Sequence, residues 1–191
     1  NKVLDFADTA SHSNDDGASA LSVATGPSSS ADIDLDGDEG SLLQLAGNVD
    51  VDLLGFITLS GDFAFKQAVT NLTLDDGSDV TADMLAIGAT NVTAFAGVSL
   101  GVTNRLGLEL TGVELALATL TDQADSSRKW TSLQASASSL GFVGIPGITL
   151  AATDIGIRMN QAADDGSLVD YDAQSLEIRT GPSDSITLTM A

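Results

Sequence analysis

The 191-residue chain has no cysteine, one histidine, seven Lys and Arg against 27 Asp and Glu, and only 4% aromatic residues. Without thiols there is no disulfide framework and no Cys-ligated zinc site. A Ser-His-Asp triad would have to use His12, which sits in Ser11-His12-Ser13-Asn14-Asp15. That stretch reads as a surface loop, whereas a nucleophile and its base need a rigid, oriented scaffold. A net charge of −20 repels phosphates instead of releasing their counterions, which disfavours nucleic acid as a partner. No apolar run is long enough to cross a bilayer as a helix, so no membrane insertion is expected. No basic and then apolar leader opens the chain. It begins at Asn1 without Met and reads as a processed or excised piece of a longer protein.

What the chain does have is self-similarity, which changes the reading of everything else. Leu21-Ser-Val-Ala-Thr-Gly-Pro-Ser-Ser-Ser30 recurs as Leu176-Glu-Ile-Arg-Thr-Gly-Pro-Ser-Asp-Ser185, an offset of 155 (176 − 21). Val3-Leu-Asp-Phe6 matches Leu168-Val-Asp-Tyr171 at 165 (171 − 6), so the first copy carries ten extra residues, placed in the Ser- and Asp-rich stretch around Thr9–Asn14. A weaker echo pairs Leu54-Gly-Phe-Ile57 with Leu140-Gly-Phe-Val143, and Asp75-Asp-Gly-Ser78 with Asp164-Asp-Gly-Ser167. Residues 1–40 therefore read as the end of one repeat plus an acidic junction. Residues 41–191 read as one repeat unit, with half-repeats around 42–97 and 133–191.

Local periodicity is two, the strand signature. Leu43 and Leu45, Val49 and Val51, Phe63 and Phe65, and Ile155, Ile157 and Met159 alternate with small or polar residues, and Leu106, Leu108, Leu110 and Val113, Leu115, Leu117 do so across Gly112. Helical readings compete only at Thr81–Ala86 and Thr121–Ala137. The expected fold is all-β: an elongated stacked β-structure, solenoid-like or an open groove, with an elongated antiparallel sandwich as the alternative. With so few aromatics the layers should be thin. Asp15-Asp-Gly17, Asp75-Asp-Gly77 and Asp164-Asp-Gly166 read as tight turns in which Gly supplies a positive φ.

The acidic junction offers the one metal-like pattern. Asp32, Asp34, Asp36, Asp38 and Glu39 alternate or cluster around Gly37 like the front half of a calcium loop. The second half fails, because Leu43 stands where a bidentate Glu belongs. The competing reading is a strand with Ile33 and Leu35 inward and the acids outward. Ca2+ is the candidate cation. Arg128-Lys129-Trp130 is the one local cationic cluster, either a latch to an acidic neighbour or a connector that Trp130 anchors to the core. Paired carboxylates for glycoside hydrolysis have no aromatic platform beside them, so the chain is read as a non-enzyme.

Taken as a set, Leu54-Gly-Phe-Ile-Thr-Leu-Ser-Gly-Asp-Phe-Ala-Phe65, Ile87-Gly-Ala-Thr-Asn-Val-Thr-Ala-Phe-Ala-Gly97, Arg128-Lys-Trp-Thr-Ser-Leu133 and Thr180-Gly-Pro-Ser183 resemble the tandem β-strand repeats of giant acidic secreted bacterial surface proteins of the adhesin type. The resemblance covers most of the chain from about Leu42 onward and carries no catalytic residue. It implies an extracellular or cell-surface location, tandem copies, and a role in fibre, stalk or biofilm-matrix architecture. From the residues themselves, duplicate elements at both ends imply head-to-tail joining to neighbouring copies by strand addition. The expected assembly residues are Leu21, Val23, Ile33 and Leu35 at one end and Leu176, Ile178, Leu188 and Met190 at the other. An apolar-ligand or carbohydrate-binding β-module of a secreted protein is the alternative.

Overall fold

The computed structural model describes residues 21–33, 35, 37, 40–99, 105–144 and 146–190. It is all-β, 71% strand, with no helix among the described residues. Ten strands follow in order: β1 (Leu21–Gly26), β2 (Ser29–Ile33), β3 (Leu43–Leu53), β4 (Ile57–Thr73), β5 (Asp79–Ser99), β6 (Arg105–Asp122), β7 (Lys129–Val143), β8 (Ala151–Gln161), β9 (Leu176–Arg179) and β10 (Ser185–Leu188). Strands β3 to β8 form one antiparallel meander in sequence order that does not close on itself, while β1–β2 and β9–β10 are separate hairpins. The fold is therefore an open sheet partly covered on one face. Neither segment with a competing helical reading is helical. Thr81–Ala86 buries Ala82, Met84 and Ala86 alternately, which is a period of two, and Thr121–Ala137 is the turn of the β6–β7 hairpin with its flanking strands.

The sheet buries one face over half its length. Ala64, Ala68 and Leu72 from β4, Ala82, Met84 and Ala86 from β5, Ala116, Ala118 and Leu120 from β6, and Trp130 from β7 point the same way. Over them lies the C-terminal segment, contributing Ala163, Val169, Tyr171, Ile178 and Leu188. The alanines explain the thin layer, since a face of methyl groups lets the β9–β10 backbone come close. Gly88 is the point of closest approach: a Cβ there would stand 2.0 Å from the Arg179 carbonyl oxygen and 2.8 Å from Thr180 Cα. Each fully buried Leu, Ile or Val contributes roughly 1.5–3 kcal/mol relative to exposure, so this seat supplies much of the core. The Tyr171 hydroxyl is buried there without a hydrogen-bond partner, and burial raises its pKa.

Two Asp-Asp-Gly-Ser turns clip the covering segment to the sheet, and they are built alike. In each, the serine N–H and hydroxyl donate to the second aspartate, Ser78 to Asp76 and Ser167 to Asp165, and the glycine takes a positive φ, 82° at Gly77 and 87° at Gly166. The turns lie against one another, with Asp75 N–H donating to the Leu168 carbonyl and Leu168 N–H to the Asp75 carboxylate. The other pair of echoes diverges. Leu54-Gly-Phe56 is the β3–β4 turn, whereas Leu140-Gly-Phe-Val143 ends strand β7.

Replacing Gly88 by Ala is expected to lift β9–β10 off the sheet and cost about 3 kcal/mol, the upper end of overpacking penalties. Gly156→Ala, where an added methyl meets nothing within 4 Å, is expected to be neutral. Thermal unfolding followed by circular dichroism checks both, the first variant melting several degrees lower.

Candidate assembly surfaces

The two sequence copies form the same hairpin. In β1–β2, Leu21 faces Ile33, Ser22 faces Asp32, Val23 faces Ala31 and Ala24 faces Ser30. In β9–β10, Leu176 faces Leu188, Glu177 faces Thr187, Ile178 faces Ile186 and Arg179 faces Ser185. Every pair of the second hairpin is a pair of the first moved by the same 155 positions. Their surroundings differ. Ile178 and Leu188 are 1% and 0% exposed beneath the hairpin, and Leu176 and Met190 are partly buried against the same core. Their counterparts Val23 and Ile33 are 42% and 36% exposed, as are Leu21 and Leu35 at 46% and 45%. Of the eight expected assembly residues, the C-terminal four are thus spent on the chain's own core. The N-terminal four remain bare.

The opposite face of the six-stranded sheet carries the second surface. Register places Leu45, Phe65, Ile87, Leu117, Leu133 and Met159 in one transverse row, one from each strand. The next row is Gly47, Phe63, Ala89, Leu115, Ala135 and Ile157. Farther along lie Val51, Leu59, Ala94, Leu110, Leu140 and Ala152, and then Leu53, Ile57, Ala96, Leu108, Phe142 and Leu150. Between the second and third rows β3 and β4 advance by an even number of residues, but β5, β6, β7 and β8 each advance by an odd number. Each of these four strands carries one extra residue there. The register breaks at Ser60/Asp62 and around Val92, and positive φ values occur at Asn91 (54°), Gly112 (59°) and Asp154 (54°). A one-residue offset would turn every later side chain over, so these bulges keep the apolar residues on one face through the whole sheet. No described segment covers that face.

Asp32 lies in β2, exposed and paired with Ser22. Asp34, Asp36, Asp38 and Glu39 lie outside the described residues, as do His12 and the Asp15-Asp16-Gly17 turn. Among the described residues no three His, Cys, Asp or Glu converge as a metal site. Arg128 ties elements of its own chain together: it donates to Asp122 at 2.9 Å and to Asp165 at 2.8 Å, and its guanidinium lies 5.2 Å from the Trp130 ring centre. Trp130 is 1% exposed and its indole N–H donates to the Ser167 carbonyl at 3.1 Å. The Arg-Lys-Trp cluster is an anchor that closes the β6–β7 hairpin onto the second Asp-Asp-Gly-Ser turn. On either side of β9–β10 lie open crevices, one of about 470 Å³ with a mixed lining that includes Glu114, Gln134, Arg158 and Ile186, the other of about 360 Å³ beside Lys66, Glu177 and Asp184. Neither the family models, nor the curated proteins, nor the solved structures searched contain a match to this chain.

Asp165 is held below the ordinary carboxyl value of 3.8 by the Ser167 hydroxyl, then by the Ser167 N–H and Arg128; Ser78 lowers Asp76 and Ser127 lowers Asp125 in the same way. A depressed native pKa stabilises the fold fully above the unfolded value and loses that contribution as pH falls through the native value. Wild type is therefore expected to melt above Asp165→Asn at pH 7. The gap should narrow below about pH 4 and close at lower pH, as read by melting temperatures across an acid series.

Proposed function

We propose that the chain is a structural repeat unit of an extracellular bacterial fibre, adhesin stalk or biofilm matrix, joined head-to-tail to neighbouring copies. The observation that carries this reading is the duplicated hairpin: one sequence element, in one register, seated on a sheet at one end and bare at the other. A hairpin whose equivalent buries Ile178 and Leu188 has the side chains to occupy the same seat on a preceding sheet. Each unit is then a sheet with the hairpin that follows it. Among the described residues no strand pairs with the outer edges of β3 and β8, which would allow sheet-to-sheet strand addition at the same joint. The resemblance to giant surface-protein repeats agrees with an architectural role.

The test is a two-unit protein in which Ser175 of the first copy is followed by Leu21 of the second, so that the internal hairpin has the sequence of residues 21–33. Val23→Asp with Ile33→Asp is expected to leave the single chain's melting temperature within about 1 °C, because both side chains are exposed there. In the two-unit protein the same pair would put charges into a buried seat and lower melting of the first unit by at least about 5 °C. If the pair is silent in both proteins, the hairpin is no cap and the reading loses its support.

Acidic units in contact repel, since screening at physiological salt leaves a range of roughly 8 Å. Ca2+ held by Asp32, Asp34, Asp36, Asp38 and Glu39 at the joint would offset that repulsion. Excess chelator is accordingly expected to lower the calorimetric melting temperature of the two-unit protein. An unchanged curve removes calcium from the joint.

A further inference from the structure

We infer that the continuous apolar face of the six-stranded sheet is an interface that stacks on the same face of a second copy of this chain, making a two-sheet sandwich. The inference is independent of the hairpin joint, which uses the other face. Four rows of six positions on this face contain no charged and no hydrogen-bonding side chain. All but Ala89 are half-buried or exposed: Leu45 is 70% exposed, Ile157 55% and Phe142 42%. With strands about 4.8 Å apart and same-face residues about 6.8 Å apart along each strand, every position covers about 33 Å², or about 800 Å² in all. A monomer's largest apolar patch is about 300–600 Å². A standard interface buries about 800 Å² on each partner. The area therefore matches what one like partner requires.

Charge favours the same occupant. The four rows carry none of the chain's 27 acids, so two copies can approach through them without bringing like charges into contact. The opposite face over the far half of the sheet carries Asp50, Asp52, Asp62 and Glu109, as alternation demands. Beyond the apolar rows the face turns polar, through Gln67, Thr119, Thr131 and Gln161 to Asp83 and Lys129, which supplies the rim of an interface. An acyl ligand would fill only part of this surface, since the concavity on it, about 340 Å³, is confined to the β3–β5 side around Leu45, Phe63, Phe65 and Ile87. Packed sheets separated by about 10 Å interleave such rows directly, and a two-fold operator makes one patch sufficient for both partners.

Light scattering of the full chain at about 100 µM, well above the dissociation constants typical of interfaces of this size, is expected to return twice the 19.4 kDa chain mass. Leu115→Lys, in the middle of the face, is expected to weaken the dimer at least tenfold with the circular dichroism spectrum retained; Thr93→Lys, on the opposite face, is expected to leave it unchanged. Because the chain lacks cysteine, a second readout is independent of that disruption. Leu115→Cys should form a disulfide-linked dimer on mild oxidation, and Thr93→Cys should not. A monomeric wild type overturns the inference, as does a dimer indifferent to Leu115→Lys. A monomer that floats with phosphatidylcholine vesicles overturns it equally, by assigning the face to lipid.

Discussion

The structure depends on a line of inserted residues. In antiparallel sheets alternation is binary, so an uncompensated extra residue in one strand sends the rest of its side chains to the wrong side. Here β5, β6, β7 and β8 each take one extra residue at the same level, and the conformations that allow it are left-handed at Asn91, Gly112 and Asp154. Asparagine, glycine and aspartate are the residue types that tolerate that region best. With the insertion shared by four neighbours, the ladder resumes in step beyond it. A strand as long as the 21-residue β5 can then keep its apolar residues, from Leu85 to Ala96, on one face across the insertion.

The two faces solve different problems. One is built of alanine and glycine near its middle and accepts a hairpin at close range, with Gly88 leaving room for the Arg179 and Thr180 backbone. The other is built of Leu, Ile and Phe, which project farther and suit sheet-on-sheet packing at wider spacing. Large residues on the first face would hold the hairpin away, and small ones on the second would give little area to bury. Residue size, more than polarity, thus sorts the two layers. The clips at Asp76 and Asp165, with Arg128 over Trp130, then hold the covering segment at the end where the core is deepest.

Much of this was legible before any coordinates. Period-two alternation identified the strands, Leu106 to Leu117 already carried its break at Gly112, and the Thr-Gly-Pro-Ser duplication marked two elements that fold in identical register. The Asp-Asp-Gly-Ser pairs read correctly as turns because Gly at positive φ and an Asp-to-Ser hydrogen bond are both local requirements. What escaped was set by distant partners. Nothing near Gly88 in sequence announces Arg179, and nothing in Leu176–Met190 says that it is covered while Leu21–Leu35 is not. The continuity of the apolar face also escaped. It is a property of register across six strands, and a single strand's pattern reads the same whichever way it faces. The helical competitor at Thr81–Ala86 arose because alanine and methionine are favourable in helices; alternation of burial across the sheet overrode that preference.

Duplication of the hairpin in one register has a genetic corollary. Leu21–Ile33 and Leu176–Leu188 pair in one register 155 (176 − 21) residues apart, so on the proposed reading a gene that lost or gained 155 codons between them would exchange one hairpin for the other. Such an event would remove or insert one sheet with its hairpin and keep the strand pairing of the hairpin intact. A gene arranged in this way can change the length of its product in whole folded steps.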